Sequence, residues 1–244
     1  MKPVTLLRRY VGAAYWWWES FRRSIAGSSV DENRYRRKSR EDIRAHFDNV
    51  SLPHRGWLTD RLLSTVRESK TGKADILEVG CGWGPNLVVL AKRAPLFRLT
   101  GVDISPASIA EGQKRLTELN LSGISLVEGQ ADDLSAIEDA SMDVVFTDAM
   151  LLYVGPDKIE RTIMEMIRVA RRHVFLLEMH CTSAGAGGYY MRDGWLRDYE
   201  VLLRSLVGDT TVRLEPMPPR LRVAGRWPQY GTLIEIDVRK ARSL

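Results

Sequence analysis

The stretch from residue 75 to residue 93 constrains the fold of this chain more than any other. An apolar strand pattern over residues 75–80 runs into three glycines at alternate positions, Gly80, Gly82 and Gly84, and a helical pattern follows from Asn86. Glycine permits a sharp turn and lets a ligand approach the backbone where a Cβ would otherwise stand. The sequence therefore predicts a strand, a ligand-binding turn and a helix in succession.

Strand and helix patterns alternate along the rest of the chain. Strand patterns cover residues 75–80, 97–103, 124–128, 142–147, 173–179, 211–215 and 232–238, and helical patterns cover 86–93, 108–119, 158–170 and 195–206. Alternation of this kind builds a parallel sheet that right-handed crossovers cover on both faces. The last two strands have no helix between them. We therefore expect an α/β fold with a doubly wound, mostly parallel seven-stranded sheet, an antiparallel last strand and additional N-terminal helices.

Acidic and polar side chains follow the next strands. Asp103 ends the second strand about 20 residues after the glycine turn, where a carboxylate accepts hydrogen bonds from two ribose hydroxyls. The third strand leads into Gln130, Ala131 and Asp132, which are suited to an adenine edge, and the fourth ends at Thr147. The glycine spacing differs from the G-x-G-x-x-G of dinucleotide-binding proteins, and no Walker lysine follows. Both of those nucleotide-binding classes are therefore disfavoured.

These four segments resemble, in order and spacing, the class I S-adenosylmethionine-dependent methyltransferases of small molecules, over about residues 57–240. The resemblance implies that the three glycines line the methionine part of S-adenosylmethionine, that Asp103 holds the ribose and that Ile104 packs on the adenine. The implied cofactor-binding residues are Glu78, Gly80, Gly82, Gly84, Asp103, Ile104, Gln130, Ala131, Asp132 and Thr147. A plain helix N-cap is the alternative interpretation of Asp103.

Transfer of a methyl group to oxygen or nitrogen usually requires a base for the acceptor's proton. Ligands of open α/β sheets bind beyond the carboxyl ends of the strands, which selects Asp148, Tyr153, Glu178 and His180. We expect His180 and Asp148 to be catalytic, with Tyr153 as a third candidate, while structural roles remain the alternative for each. The four histidines, His46, His54, His173 and His180, are scattered, so no metal site is predicted.

The acceptor pocket is expected to come from segments outside the shared core. Residues 181–195 carry three glycines followed by two tyrosines, which is typical of a mobile lid, and residues 216–230 carry several arginines. The candidate acceptor-binding residues are Tyr189, Tyr190, Arg192, Trp195 and Arg226. Aromatic rings stack on sugars and arginines bind carboxylates or phosphates, which favours a saccharide or another anionic, lipid-linked metabolite. A solvated surface loop is the alternative interpretation.

The positive charge of the chain is concentrated near its start. Of the 36 Lys/Arg and 31 Asp/Glu, residues 1–45 hold 11 and 5, a net +6, which leaves 25 and 26 for the remainder, a net −1. Residues 1–26 also place apolar side chains at helical spacing, and three consecutive tryptophans stand there: the helical positions are Leu7, Val11, Ala14, Trp18, Phe21 and Ile25, with Trp16 and Trp17 directly before Trp18. A basic, tryptophan-rich arm over residues 1–56 and a methyltransferase domain over 57–244 are therefore expected.

Four interpretations of this arm remain open. The arm either packs against the core with a purely structural role, or caps the acceptor pocket, or lies peripherally on a membrane through residues 1–26, or binds nucleic acid. Nucleic acid is disfavoured because no RNA-binding module accompanies the arm and the rest of the chain is nearly neutral.

Composition bounds the location and the rival functions. The chain has no run of about 18 uncharged apolar residues, no secretory signal and only two distant cysteines, so we expect a cytoplasmic protein, with the inner membrane face as an option. A nucleic-acid methyltransferase is one alternative, although Thr147-Asp148-Ala149-Met150 lacks the Asn/Asp-Pro-Pro-aromatic motif of amino-methylating members. A protein that binds S-adenosylmethionine without transferring its methyl group is another. The oligomeric state stays undetermined.

Deletion of residues 1–26 tests the membrane interpretation. If tryptophan and arginine side chains of the arm hold the protein at an interface, the deletion abolishes co-sedimentation with anionic liposomes. Undiminished sedimentation of the truncated chain rules this role out.

Overall fold

The computed structural model describes residues 18, 21–23, 25, 27–37, 52–66, 72–191, 194–208, 211–221 and 227–241. The helices are α1 Ser29–Arg36, α2 Pro53–Val66, α3 Pro85–Arg93, α4 Pro106–Glu118, α5 Ile159–Val169, α6 Tyr199–Val207, α7 Trp227–Tyr230 and α8 Val238–Ala241. The strands are β1 Asp75–Val79, β2 Arg98–Asp103, β3 Ile124–Glu128, β4 Met142–Asp148, β5 Ala170–Met179, β6 Tyr189–Met191, β7 Gly194–Leu196, β8 Val212–Pro216 and β9 Gly231–Asp237.

Seven strands form one sheet in the order β3-β2-β1-β4-β5-β9-β8. The pairs from β3 to β5 are parallel, whereas β9 runs antiparallel to both of its neighbours, so the predicted fold class is confirmed. The chain turns to opposite sides of the sheet after β1 and after β4, which are neighbours. A crevice opens at such a switch point, beyond the carboxyl ends of these strands.

Alternate residues of the central strands enter two separate cores. Leu77, Val145 and Leu176 pack beneath α5 and α6, whereas Ile76 and Phe146 pack beneath α2, α3 and α4. This period of two explains the continuous apolar runs of the central strands, since both faces of the sheet are covered by helices.

Two predicted boundaries differ from the structure. Residues 194–196 pair with 189–191 as a hairpin, so the helix expected from 195 begins only at Tyr199, where Asp198 Oδ1 accepts a hydrogen bond from Val201 N at 3.1 Å. Residues 52–56 look like an interruption in the sequence, yet α2 begins at Pro53, since proline is favoured in the first helical turn. The expected domain boundary at 56/57 thus falls within α2, and the division into two parts stays a prediction.

The N-terminal segment is attached to the sheet domain at a buried turn. Gly27 has φ +63°, and a Cβ there would lie 2.6 Å from the Asp157 carboxylate. Ser28 N and Oγ both donate to Asp157 Oδ1, at 2.8 and 2.9 Å, and Ser28 Oγ accepts from Gly155 N. This turn therefore fixes α1 against the loop after β4.

The described side chains upstream of this turn include an exposed apolar group. Trp18, Phe21 and Ile25 are 56%, 48% and 73% exposed, and the remaining residues of 1–26 lie outside the described part. Peripheral membrane contact therefore stays a prediction. Within the described residues, every helix is too short or too polar to cross a bilayer.

Candidate active site

A cavity of about 340 Å³ lies at the carboxyl ends of β1, β2 and β4, and α1 and the first turn of α2 contribute to its walls. Its polar lining comes from Asp31, Glu32, Tyr35, His54, Arg55, Asp103, Ser108, Gln130, Asp132, Asp148, Tyr153, Lys158 and Thr162. The rest is mainly apolar or glycine: Leu52, Gly80, Gly82, Val102, Ile104, Gly129, Ala131, Ala149, Met150, Val154, Met217 and Trp227.

The glycine turn forms one wall because its backbone adopts conformations that other residues disfavour. Gly80 has φ +76°, and a Cβ there would lie 2.1 Å from Cγ of Met150. Gly84 has φ +86° and precedes Pro85, the first residue of α3. A side chain at either position is strained, so the bare turn is a requirement of this packing.

Asp103 joins the glycine turn to the end of β2. Its Oδ2 accepts a hydrogen bond from Gly82 N at 2.7 Å and its Oδ1 accepts one from Ser105 N at 2.8 Å. The N-cap of α4 is Ser105, whose Oγ accepts from Ser108 N at 3.2 Å. Capping is therefore the task of Ser105, and the Asp103 carboxylate lies on the cavity with lone pairs for further donors.

Two carboxyl groups share one amide behind the glycine turn. Asn86 Nδ2 donates to Glu78 Oε1 at 2.7 Å and to Asp148 Oδ2 at 3.1 Å. The same Asp148 oxygen lies 3.3 Å from His54 Nε2. This network connects β1, α3, the end of β4 and the first turn of α2.

The environments of the two carboxyl groups differ. Burial raises the pKa of Glu78 well above its usual range, and the nearby Asp148 charge adds to this effect, against the Asn86 hydrogen bond. Burial also opposes ionisation of Asp148, but the hydrogen bond and charge of His54, with Arg55 and Asn86, hold its pKa below the usual range. Asp148 is therefore charged, whereas burial opposes ionisation of Glu78.

Arg55 is the buried cation of this wall. Arg55 is 7% exposed. Among the described residues, none is a hydrogen-bond partner for its Nε and Nη1 atoms. A buried guanidinium with unsatisfied donors is costly unless an anionic group binds to it.

The loop after β4 is held by two buried side chains of opposite charge type. Glu178 Oε1 accepts hydrogen bonds from Thr147 Oγ1, Met150 N and Leu151 N, at 2.9, 3.0 and 2.9 Å. Arg197 donates to Leu151 O at 2.9 Å and to Val154 O. The loop begins at Ala149, whose φ of +57° is rare for a residue with a Cβ. These bonds give hydrogen-bond partners to buried backbone N–H and C=O groups of the loop.

Helix α1 contributes Asp31, Glu32 and Tyr35 to the cavity. Lys158 Nζ lies 2.6 Å from Glu32 and 3.4 Å from Asp132, so it joins α1 to the end of β3. The rings of Tyr35 and Tyr153 are 4.6 Å apart. Burial, with Tyr153 close by, raises the pKa of Tyr35, so its hydroxyl stays protonated. Helix α1 therefore forms part of the cavity wall, while the cap interpretation of the arm stays a prediction.

Comparison with known proteins agrees with this architecture. Residues 76–173 match the family model described as "Methyltransferase domain". Over 160 residues the chain is 30% identical to trans-aconitate 2-methyltransferase of Escherichia coli O7:K1 (strain IAI39 / ExPEC), which covers 66% of this chain and 54% of that protein. It is 31% identical over 116 residues to ribosomal RNA small subunit methyltransferase C of Haemophilus influenzae (strain PittGG), which covers 48% and 33%.

A solved structure gives the same fold. Magnesium protoporphyrin IX methyltransferase from Synechocystis PCC 6803, determined with bound SAM, is similar with a TM-score of 0.53 and 18% identity, over 75% of this chain and 79% of that one. Residues 76–173 therefore form a methyltransferase domain, and the fold is that of class I S-adenosylmethionine-dependent methyltransferases. The chain spans about half the length, or less, of the curated relatives described above.

Most of the cofactor-binding residues expected from the sequence meet at the cavity. Those that line it are Gly80, Gly82, Asp103, Ile104, Gln130, Ala131 and Asp132, together with the expected catalytic residues Asp148 and Tyr153. Glu78 and Thr147 are buried behind the lining, and Gly84 lies at the start of α3.

The structure does not bring His180 to the cavity. His180 follows β5, and its Nδ1 accepts a hydrogen bond from Tyr199 N at 3.2 Å, which joins the strand end to α6. Burial lowers its pKa despite the nearby Asp198 and Glu200. The surroundings of His180 are thus those of a structural histidine, which was the alternative interpretation.

The expected acceptor-binding residues also lie away from the cavity lining. Tyr190 and Trp195 are each 1% exposed, with their rings edge to face at 5.5 Å, and Arg23 lies over the Tyr190 ring at 4.4 Å. Tyr189 is half-buried and packs with Leu152 and Met179 in a third apolar cluster. Residues 189–191 and 194–196 pair as antiparallel strands where a mobile lid was expected, because these aromatic side chains are buried. Arg192 and Arg226 lie outside the described residues.

Sequence patterns missed several cavity residues, among them Glu32, Tyr35, His54, Lys158 and Trp227. Those in α1 and α2 precede the shared core and approach it only through tertiary packing. Just before the core, Arg55 and Trp57 were the residues that the sequence offered for the cofactor's carboxylate, and of these two Arg55 lines the cavity.

The pH dependence of stability tests the environment of Glu178. Burial raises its pKa from 4.5 to about 7, against hydrogen bonds from Leu151 N, Thr147 and Met150 N. The folded state therefore binds this proton more tightly, and its stabilising effect is complete below pH 4.5 and lost as the pH rises through about 7. Glu178→Gln keeps the accepting oxygen, so the fall in unfolding free energy between about pH 5 and 8 becomes smaller by roughly 2–3 kcal/mol.

Urea denaturation of both proteins at the two pH values measures this difference. Glu118→Gln, at an exposed position of α4, is the matched control and leaves the wild-type pH dependence unchanged. Equal pH dependence of the wild-type protein and Glu178→Gln contradicts a neutral Glu178.

Proposed function

We propose that the protein transfers a methyl group from S-adenosylmethionine to an oxygen or nitrogen atom of a small organic acceptor. The observation that carries the proposal is one cavity running from Asp103 to Asp148 beneath α1. It combines the glycine turn, a carboxylate at the end of β2 and a charged carboxylate at the end of β4.

Residues at the two ends of the cavity suit the two ends of the cofactor. Asp103 suits two ribose hydroxyls, and Ile104 with residues 130–132 suits the adenine. At the other end the unsatisfied donors of Arg55 suit the methionine carboxylate, because a guanidinium binds carboxylates through paired N–H groups. The bare backbone at Gly80 and Gly82 suits the intervening chain, since no Cβ stands there.

The cofactor supplies an electrophilic methyl group, so the protein's own task is alignment and proton removal. The glycine turn and the loop after β4 line the cavity on adjacent strand ends, and Glu178 and Arg197 fix the second of these segments. Tyr35, Tyr153, Met217 and Trp227 provide apolar and aromatic surface that keeps water from an acceptor.

The acceptor is proposed to be small because α1 covers the cavity. Trans-aconitate 2-methyltransferase is by its name an enzyme of a small organic acid, which supports this class. Aromatic walls suit a ring or a sugar, in keeping with the expected saccharide. The expected anionic character finds less support, since the cavity has five carboxyl groups against Arg55, His54 and a Lys158 that already pairs with Glu32 and Asp132.

Two alternatives remain distinguishable. A nucleic-acid acceptor is suggested by the name of the ribosomal RNA methyltransferase relative, which matches over 33% of its length, but the covered cavity favours a smaller molecule. A protein that only binds the cofactor gives no product when labelled S-adenosylmethionine is incubated with fractionated extract of the source cell. A labelled product identified by mass spectrometry supports transfer and names the acceptor.

Asp103→Ala tests the ribose contact. Loss of a charged hydrogen-bond acceptor weakens binding of S-adenosylhomocysteine by roughly 1–3 kcal/mol in calorimetry. Asp133→Ala removes a neighbouring carboxylate that bonds Ser135 N and does not line the cavity, so it is the control. Unchanged affinity of Asp103→Ala contradicts the assignment.

Arg55→Met tests the carboxylate contact with two ligands. S-adenosylhomocysteine carries the amino-acid part, whereas 5′-methylthioadenosine retains the adenosine and sulfur but lacks the carboxylate. The variant loses about tenfold or more in affinity for the first ligand, the cost of one charge-assisted hydrogen bond, and little for the second.

Arg61→Met is the control on the same helix, because Arg61 is exposed and pairs with Glu215. It leaves both affinities unchanged. An equal loss for both ligands in Arg55→Met shows that Arg55 supports the cavity without contacting a carboxylate.

A further inference from the structure

His54 and Asp148 form a buried pair on the cavity wall. The two side chains are 10% and 8% exposed, with His54 Nε2 3.3 Å from Asp148 Oδ2. They come from α2 and from the end of β4, which are 94 positions apart in the sequence (148 less 54). Both residues line the cavity proposed for the cofactor and its acceptor.

The partner of His54 is an anion. Asp148 remains charged because His54, Arg55 and Asn86 outweigh its burial and keep its pKa low, whereas burial raises the pKa of the neighbouring Glu78. Two carboxyl groups whose environments separate their ionisation are typical of acid–base sites. An anionic Asp148 stabilises a positive charge that develops on the imidazole.

The remaining ring nitrogen of His54 is available. Nδ1 is buried, and none of the described residues is a hydrogen-bond partner for it. With the Nε2–H directed at Asp148, a neutral imidazole carries its lone pair on Nδ1. His180, the base expected from the sequence, differs in this respect, because its Nδ1 already accepts a hydrogen bond from Tyr199 N.

We propose that His54, oriented and charge-compensated by Asp148, is the proton acceptor for the acceptor's O–H or N–H group. In this step the bond between the acceptor atom and hydrogen breaks, and the proton joins Nδ1. The electron pair stays on the acceptor atom, which becomes the nucleophile, and the imidazolium later releases the proton to water. The charged or titratable groups beside the pair are Arg55 and Glu78. The inference rests on the proposed methyl transfer and adds the residue that activates its acceptor.

The first test needs no acceptor. In the cofactor-free protein labelled with nitrogen-15, long-range proton–nitrogen spectra are expected to show His54 with a protonated Nε2 and an unprotonated Nδ1. His54→Ala assigns the signals by their loss, and Asp148→Asn removes the preference for this tautomer. A His54 that carries its proton on Nδ1 overturns the proposal.

The second test measures transfer from tritium-labelled S-adenosylmethionine to the accepting fraction of a source-cell extract. His54→Ala lowers transfer by on the order of 100-fold or more, the usual contribution of a general base. Its affinity for S-adenosylhomocysteine stays within about twofold, since the substitution leaves the cofactor contacts in place. Added imidazole restores part of the activity, which a merely structural role of His54 does not explain.

His173→Ala is the matched control, because His173 lies near the opposite end of β5, beside Glu235. It keeps the wild-type rate. Full activity of His54→Ala, or activity lost in His180→Ala instead, overturns the assignment of His54. Absence of any label transfer by the wild-type protein, with intact S-adenosylhomocysteine binding, overturns the proposed function itself and the proton acceptor with it.

Discussion

The cavity depends on buried carboxyl groups that bind backbone N–H groups at the carboxyl edge of the sheet. Asp103 accepts from Gly82 N, and Glu178 accepts from Met150 N and Leu151 N. In both segments these N–H groups lie in the turn or loop that follows a strand. Because a buried N–H without a partner costs about 1–3 kcal/mol, these bonds keep the two segments apart and the crevice between them open.

The same edge of the sheet gives three carboxyl groups different ionisation states. Glu78 and Glu178 are buried and have raised pKa values, whereas the pKa of Asp148 is held down by His54, Arg55 and Asn86. The three residues end up close together because β1, β4 and β5 are adjacent in the sheet. Their functional difference thus depends on α2, which supplies His54 and Arg55 to stabilise the Asp148 charge.

The N-terminal segment completes the cavity through polar contacts. Ser28 binds Asp157, and Lys158 connects Glu32 with Asp132, so α1 lies across the ends of β3 and β4. Ion pairs of partly exposed side chains contribute little to stability. Such a cover is suited to local opening for exchange of cofactor and acceptor, while the sheet beneath it remains folded.

The sequence by itself determined the units that are local in the chain. Strand periods, the turn at Gly80 and the position of Asp103 after β2 follow from neighbours within a few residues, and the fold class with its antiparallel last strand was predicted from them. The cavity-lining positions at these strand ends were predictable for the same reason, since each strand–turn–helix unit carries its own signal.

Only the tertiary structure decided which side chains meet. His54 reaches Asp148 because α2 packs beneath the sheet, and Tyr35 reaches Tyr153 because α1 is fixed at Gly27. His180 follows a strand end and has a side chain suited to a base, yet its Nδ1 accepts a hydrogen bond from Tyr199 N. Tyr190 and Trp195, expected to bind the acceptor, are buried. A pattern of residue types cannot distinguish a free ring nitrogen from a bound one, because that difference depends on long-range packing, which no local spacing encodes.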